Sequence, residues 1–518
     1  MAYLSSLPPV DMTRSRIFHA IVLLAAGAGA AQAANSPATL SRDDALWLDR
    51  ITWGLDSATV ARFRELGRRR FLDEQLAGKN DKLPALVQAQ IDNLDIAHDS
   101  AAKLVVDEVA EQKRINALGD EEMKKSARKD RNDMGNKMAY EATRRELLRA
   151  IYSPDQLKEQ LVWFWLNHFN VFAQKGYVKF LAGDYADQAI RPYALGHFRD
   201  LVMATLKSPA MLQYLDNAQN GKNRINENYA RELMELHTLG VDAGYTQGDV
   251  QELAKILTGV GVDTNHDDPK VRPVMRQYLV REGLFTFNPE RHDFGDRVLL
   301  GQKLKGGGFD EIERAVDLLV KQPACAQFVS RKLATYFVAD DPPPKLVDRM
   351  ARTFQHSDGD IAQVLRVMFE SDEFVASLGR KFKDPMHYVV SSVRLAYDGK
   401  TITNMHPVVT WLNNQGEALF GHSTPDGYAL TENAWASSGQ MSRRFEIARI
   451  IGNGNAGLFD AADGTQSVDT GFPQLSSKLY YDGIQPYLSK TTLAALDKSA
   501  SQQEWNAFLL ASPEFNSR

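Results

Sequence analysis

The run Asn226-Glu227-Asn228-Tyr229-Ala230-Arg231-Glu232-Leu233-Met234-Glu235-Leu236-His237-Thr238-Leu239-Gly240 places a histidine, three glutamates and an arginine in about four helical turns. Side chains of these types can transfer protons, orient an anion or ligate a metal. Histidine is the one whose charge changes near neutral pH. With Tyr229 set at 0° and about 100° per residue, Tyr229, Leu233 and Leu236 make an apolar stripe. Glu227, Arg231 and Glu235 share another face as an ion-pair ladder, a pattern that needs no function to explain it. His237 lies beside Leu233 and Ala230, and Glu232 beside Leu236 and Leu239. These two are about 140° apart, so a regular helix cannot bring both to one metal.

Any metal site must therefore draw on other segments. The run has neither His-x-x-x-His nor Glu-x-x-His. His168, His237, Asp242 and His292 are the candidate ligands, with Asp249 a further option. His168, His237, Glu232 and Glu235 are the candidate acid/base groups, with Arg231 orienting them or binding an anion. The competing reading is structural: a histidine on an apolar helix face is commonly a hydrogen-bonded core residue. The sequence names no cofactor, and a divalent metal is one option.

Other motifs carry less. Asn265-His266-Asp267-Asp268 offers oxygen ligands without the spacing of a calcium loop. Gly306-Gly307-Gly308 is followed by no Gly-Lys-Ser/Thr, and no Gly-x-Ser-x-Gly elbow occurs. Trp163, Trp165 and Trp435 could stack on sugar rings but read first as core.

The elements that must position these groups are mostly helical. The chain has 518 residues, 44% hydrophobic and 25% charged, with net charge −5. It can bury a large core, and it has no basic excess to favour nucleic acid. Met12-Thr13-Arg14-Ser15-Arg16, the apolar run to Ala31 and Ala31-Gln32-Ala33 read as a cleavable signal peptide over residues 1–33. This implies a periplasmic or secreted protein with no membrane anchor after cleavage. Cys325, the only cysteine, reads as a small core residue.

Ser41 caps a first helix, and Val60 to Leu76 is helical with an interruption at Gly67. Residues 34–152 form an amino-terminal helical region with a charged hairpin, its exposed tip at Lys124 to Asn136. Residues 153–260 hold the motif helices, starting at Ser153-Pro154-Asp155, Arg191-Pro192 and Ser208-Pro209. Residues 261–309 break the helical pattern. Gln277 to Val280 and Leu284 to Phe287 read as strands, with Arg297 to Leu300 pairing back. Residues 310–399 return to helix, and 400–518 mix helix and loop. The expected class is mainly α, a large multi-helix globular body with a small β-hairpin insertion at about 275–302.

The run from Asn226 to Asp249, continuing to Leu257-Thr258-Gly259, resembles the large bacterial family called domain of unknown function 1800. Arg50-Ile51-Thr52-Trp53-Gly54, Trp165-Leu166-Asn167-His168-Phe169, Met211 to Asn217, His292-Asp293 and Lys383-Asp384-Pro385 are also similar to it. Two positions depart. Val260 stands where the family usually has Trp, and Ser423 to Tyr428 replaces a Pro-rich stretch ending in Gly-Trp. The resemblance implies an exported, mostly helical protein and supplies no reaction or cofactor. Members are often encoded beside sulfatase- and alkaline-phosphatase-like proteins, which implies a neighbouring exported enzyme as a partner. Two functions follow as expectations: acid/base or metal-assisted hydrolysis of an extracellular polymer, or a non-catalytic periplasmic scaffold with a buried polar network.

Overall fold

The computed structural model describes residues 39–265, 268–461 and 468–518. Residues 1–33, read above as a signal peptide, and His266-Asp267 lie outside the described residues. The protein is mainly α with a small antiparallel β insertion, as the composition and periodicity imply. The described residues fall in one compact unit. Among the described residues, no helix is long and apolar enough to cross a membrane.

Local signals set many helix ends. Ser41 accepts from the Asp44 N–H and starts Arg42–Ile51. Asp56 does the same for Ser57–Ala77, which kinks at Gly67, where φ is +74°. Thr246 and Asp249 form a reciprocal capping box for Gln247–Ile256. The helix Gln156–His168 is buried along nearly its whole surface, as expected for a segment apolar on all sides.

Four expectations need correction. Lys124 to Asn136 is not a hairpin tip but part of one 32-residue helix, Glu121–Tyr152. It lacks apolar periodicity because it is a solvated stretch of helix. Asp120 caps it, and pairs such as Lys129–Asp133 at 2.9 Å support it. The turn of the hairpin lies at Leu118 to Asp120 instead. Arg191-Pro192 opens only a single 3-10 turn, and the next α-helix starts at Phe198.

In the insertion, Gln277-Tyr278 belongs to a 3-10 helix, Pro273–Tyr278. Strand β2 (Val280–Glu282) follows it. β1 (Val260–Val262) and β2 flank β3 (Phe285–Phe287), with Phe287 opposite both Val260 and Val280. β4 (Arg297–Leu299) pairs with β5 (Gln302–Leu304) rather than back to β3. Leu300 and Gly301, at φ +51° and +74°, make the two-residue turn between them. Val260, at the position of the family's Trp, is a fully buried strand residue.

Candidate functional site

The motif helix is not uniform. Asn228–Glu232 is α-helical, and Leu233–Thr238 continues it as a π-turn. The Leu239 N–H reaches the Met234 carbonyl at 2.8 Å, and the Thr238 hydroxyl reaches the Leu233 carbonyl at 2.6 Å. Gly240, at φ +88°, ends it against Phe328. The extra residue per turn resets the angular spacing read from the sequence. Only one rung of the expected ladder forms: Arg231 meets Glu227 at 3.2 Å and then turns to Gln247 at 2.9 Å.

His168 and His237 come together. Their ring centroids are 6.1 Å apart, and both residues are buried. The His168 Nε2–H donates to the His237 backbone carbonyl at 3.0 Å, capping the end of the motif helix. Phe169 lies 4.5 Å from the His168 ring and 5.0 Å from the His237 ring. His168 Nδ1 and both His237 ring nitrogens have no hydrogen-bond partner among the described residues. Burial, reinforced by the Lys332 ammonium, depresses His237 to about 3 and His168 well below its ordinary value. Both rings are neutral at pH 7, and a base this weak takes up few protons there.

Near this core are charged groups of intermediate or greater exposure, Glu232, Glu235, Lys332 and Asp426. Glu232 and Glu235 are half-buried and have no hydrogen bond or ion pair among the described residues. Burial raises Glu232 above the ordinary carboxylate range, and neighbouring Glu235 adds to it. Lys332, four residues after Phe328 on the helix Pro323–Phe337, also lacks a hydrogen bond or ion pair among them. Its Nζ lies 5.6 Å from the Phe328 ring centroid. Burial lowers it to about 8 against the opposing pull of Asp426. Asp426 also raises Glu232, so it acts electrostatically on both Glu232 and Lys332.

Asn167 and Asn170, flanking His168, hold the loop that carries Asp426. Asn167 bonds the Tyr428 N–H at 2.6 Å and its carbonyl at 2.9 Å. Asn170 donates to the carbonyls of His422 and Thr424 at 2.9 and 2.8 Å. Gly427, at φ +73°, is needed there: a Cβ would overlap the Asn167 carbonyl and lie 2.7 Å from its Oδ1. On the loop, Thr424 donates to Asp426 at 2.6 Å. His422 Nε2 meets both Thr424 and Asp426, at 3.0 and 3.3 Å. A serine-protease-type relay uses both imidazole nitrogens, one for each partner, so this cluster is not one.

The other candidates lie apart from the histidine pair. Asp242 is exposed on the loop after Gly240. Asp249 is spent on its capping box and on the Leu300 N–H at 2.7 Å. His292 is buried against the Thr258 carbonyl at 2.8 Å and Glu311 at 3.3 Å. Among the described residues, no group of three or more His, Cys, Asp or Glu side chains is placed to hold a metal. Trp165 is core, its Nε1–H on the Ala194 carbonyl at 2.9 Å. Cys325 is fully buried, and burial pushes its thiol up.

Two family-like segments meet in a second polar core that sequence reasoning did not assemble. Arg50 donates to the Phe337 and Ser377 carbonyls at 2.6 and 2.8 Å. Arg518 donates to the Tyr336 carbonyl at 2.8 Å and to Gln160 at 3.1 Å, and it abuts His387 Nε2. Two arginines thus satisfy the last carbonyls of the helix Pro323–Phe337. His387 donates through Nδ1 to Asp384 at 2.9 Å. Burial, together with Arg518, keeps its ring neutral, down to about 3. Lys332 was missed because nothing near it in the sequence marks its proximity to residues 232–237. The one signal was a lone lysine among Val329, Leu333, Ala334 and Tyr336, all buried.

No curated protein and no solved structure matches the chain. One family does, described as a protein of unknown function (DUF1800), over residues 46–517. These residues include the motif helix, its histidine partner, the clamped loop and, apart from Arg518, the second polar core, so the chain belongs to the DUF1800 family.

Proposed function

We propose that the protein is an exported acid–base hydrolase of an extracellular polymer or its fragments, working at the rim formed by Glu232, Glu235, Lys332 and Asp426. One observation carries this reading. Glu232 and Lys332 are both unpaired among the described residues, and burial shifts each toward its neutral form. A carboxyl raised above its usual range releases its proton less readily than an ordinary one and is suited to donate it to a leaving group. An amine near 8 has a neutral fraction at pH 7 that can take a proton from attacking water. In the overall step, water adds across the scissile bond, Glu232 protonates the departing oxygen and Lys332 accepts the water's proton. His168 and His237 act beneath the rim as neutral supports, and the amino-terminal segment directs export.

The test is turnover of nitrophenyl esters, glycosides, phosphates and sulfates by purified protein, Glu232→Gln and Lys332→Met. One substrate class is expected to turn over, with each variant about 100-fold slower or worse. No turnover of any class, or variants as fast as wild type, overturns the reading. One observation favours a non-catalytic scaffold instead: His168 spends its N–H on the His237 carbonyl as a structural lock. Under that reading the substrate panel stays silent, and the protein co-purifies with an exported partner enzyme.

A further inference from the structure

We infer that the groove between the start of the helix Ala101–Ala117 and the π-turn Tyr185–Ile190 binds a small organic ammonium ion. Two cavities of about 350 and 380 Å³ adjoin there and share Ser100, Ala101, Asp184 and Gln188. Each falls within the usual range for small-ligand sites.

The decisive group is Asp184. It ends the helix Val178–Asp184, and the π-turn follows it directly. Its half-buried carboxylate has no hydrogen bond or ion pair among the described residues. Burial and neighbouring Asp187 push its pKa up, and only Arg145 opposes them. Arg145 is already committed, at 2.6 Å to the Gly183 carbonyl and 2.8 Å to Asp187. At the other end of the groove, Lys207 is held by Glu282 at 2.9 Å and lies 5.2 Å from the Phe309 ring centroid.

Arg145 and Lys207 are thus held by other carboxylates, and Asp184 is left without a cation partner among the described residues. An incoming ammonium would meet this need and relieve the repulsion from Asp187. Tyr193 lines the same cavity and offers a ring for a cation to approach. Gln188 and Ser208 can orient neighbouring hydroxyls or amines. The ligand class is a small amine such as a diamine or an amino sugar. This site does not depend on the Glu232–Lys332 rim.

The test is calorimetric titration of the full chain with cadaverine and with glucosamine, using glucose as the neutral control. At least one amine is expected to bind, with glucose silent. Asp184→Asn should weaken binding at least 10-fold at an unchanged melting temperature. Should that variant unfold, Tyr193→Leu supplies a second reading, with weakening of several-fold expected. Silence from both amines, glucose binding as tightly as glucosamine, or undiminished binding by a folded Asp184→Asn or Tyr193→Leu overturns the inference.

Discussion

Replacing His237 with leucine isolates one buried titration. In the fold its ring is held at about 3, against about 6.5 in an unfolded chain. The folded state therefore refuses a proton that the unfolded state accepts below about pH 6.5. The stability tied to the neutral ring is fully present above about pH 6.5 and is lost as the pH falls toward 3. Each pH unit in that window costs about 1.4 kcal/mol, so at about pH 4.5 the loss from His237 alone is about 3 kcal/mol.

His237→Leu removes that loss. At neutral pH it also removes two buried ring nitrogens that have no partner among the described residues, a relief of about 1–3 kcal/mol. Lost ring contacts with Phe169 and Tyr229 offset about 1 kcal/mol of this. The variant should be as stable as wild type or slightly more stable near pH 7. Its advantage should grow by about 3 kcal/mol at about pH 4.5. Urea unfolding of both proteins at the two pH values measures the difference, in which titration of His387 cancels. An unchanged acid slope refutes the reasoning. So does a loss above about 3 kcal/mol at pH 7, which would mean the ring serves a partner.

Two further substitutions test the frame. Gly427→Ala should destabilise by about 2–3 kcal/mol, from the positive φ and the overlap with Asn167; an unaltered melting temperature would mean the loop is not clamped there. Arg191 meets Glu159 at 2.7 Å and also pairs with Glu146. Burial would raise Glu146, but Arg191, Arg149 and Arg145 reverse this and hold it at about 2. Arg191→Met should cost about 3–5 kcal/mol by stranding buried carboxylates, with part recovered in Arg191→Met/Glu146→Gln, both read by urea midpoint.

What the sequence by itself determined was local. Ser41 and Thr246 wrote helix starts, Gly67 a kink and Gly240 a stop, because caps and positive-φ glycines act within a few residues. The apolar run from Trp163 to Phe169 announced burial, and Cys325 read correctly as core. The mainly helical class and the family followed from the same local patterns.

Tertiary structure decided the rest. The ladder Glu227-Arg231-Glu235 assumed regular 100° steps, and the π-turn at Leu233–Thr238 broke them. Arg297 to Leu300 had apolar partners on either side in sequence, and the turn at Leu300-Gly301 chose β5. His168 stood out in the sequence, yet its bond to the His237 carbonyl joins positions 69 residues apart. Asp426 acts on both Glu232 and Lys332 from a third segment, and the three share no local pattern. The shifts of Glu232 and Lys332 come first from burial, which a side chain acquires only when the chain packs.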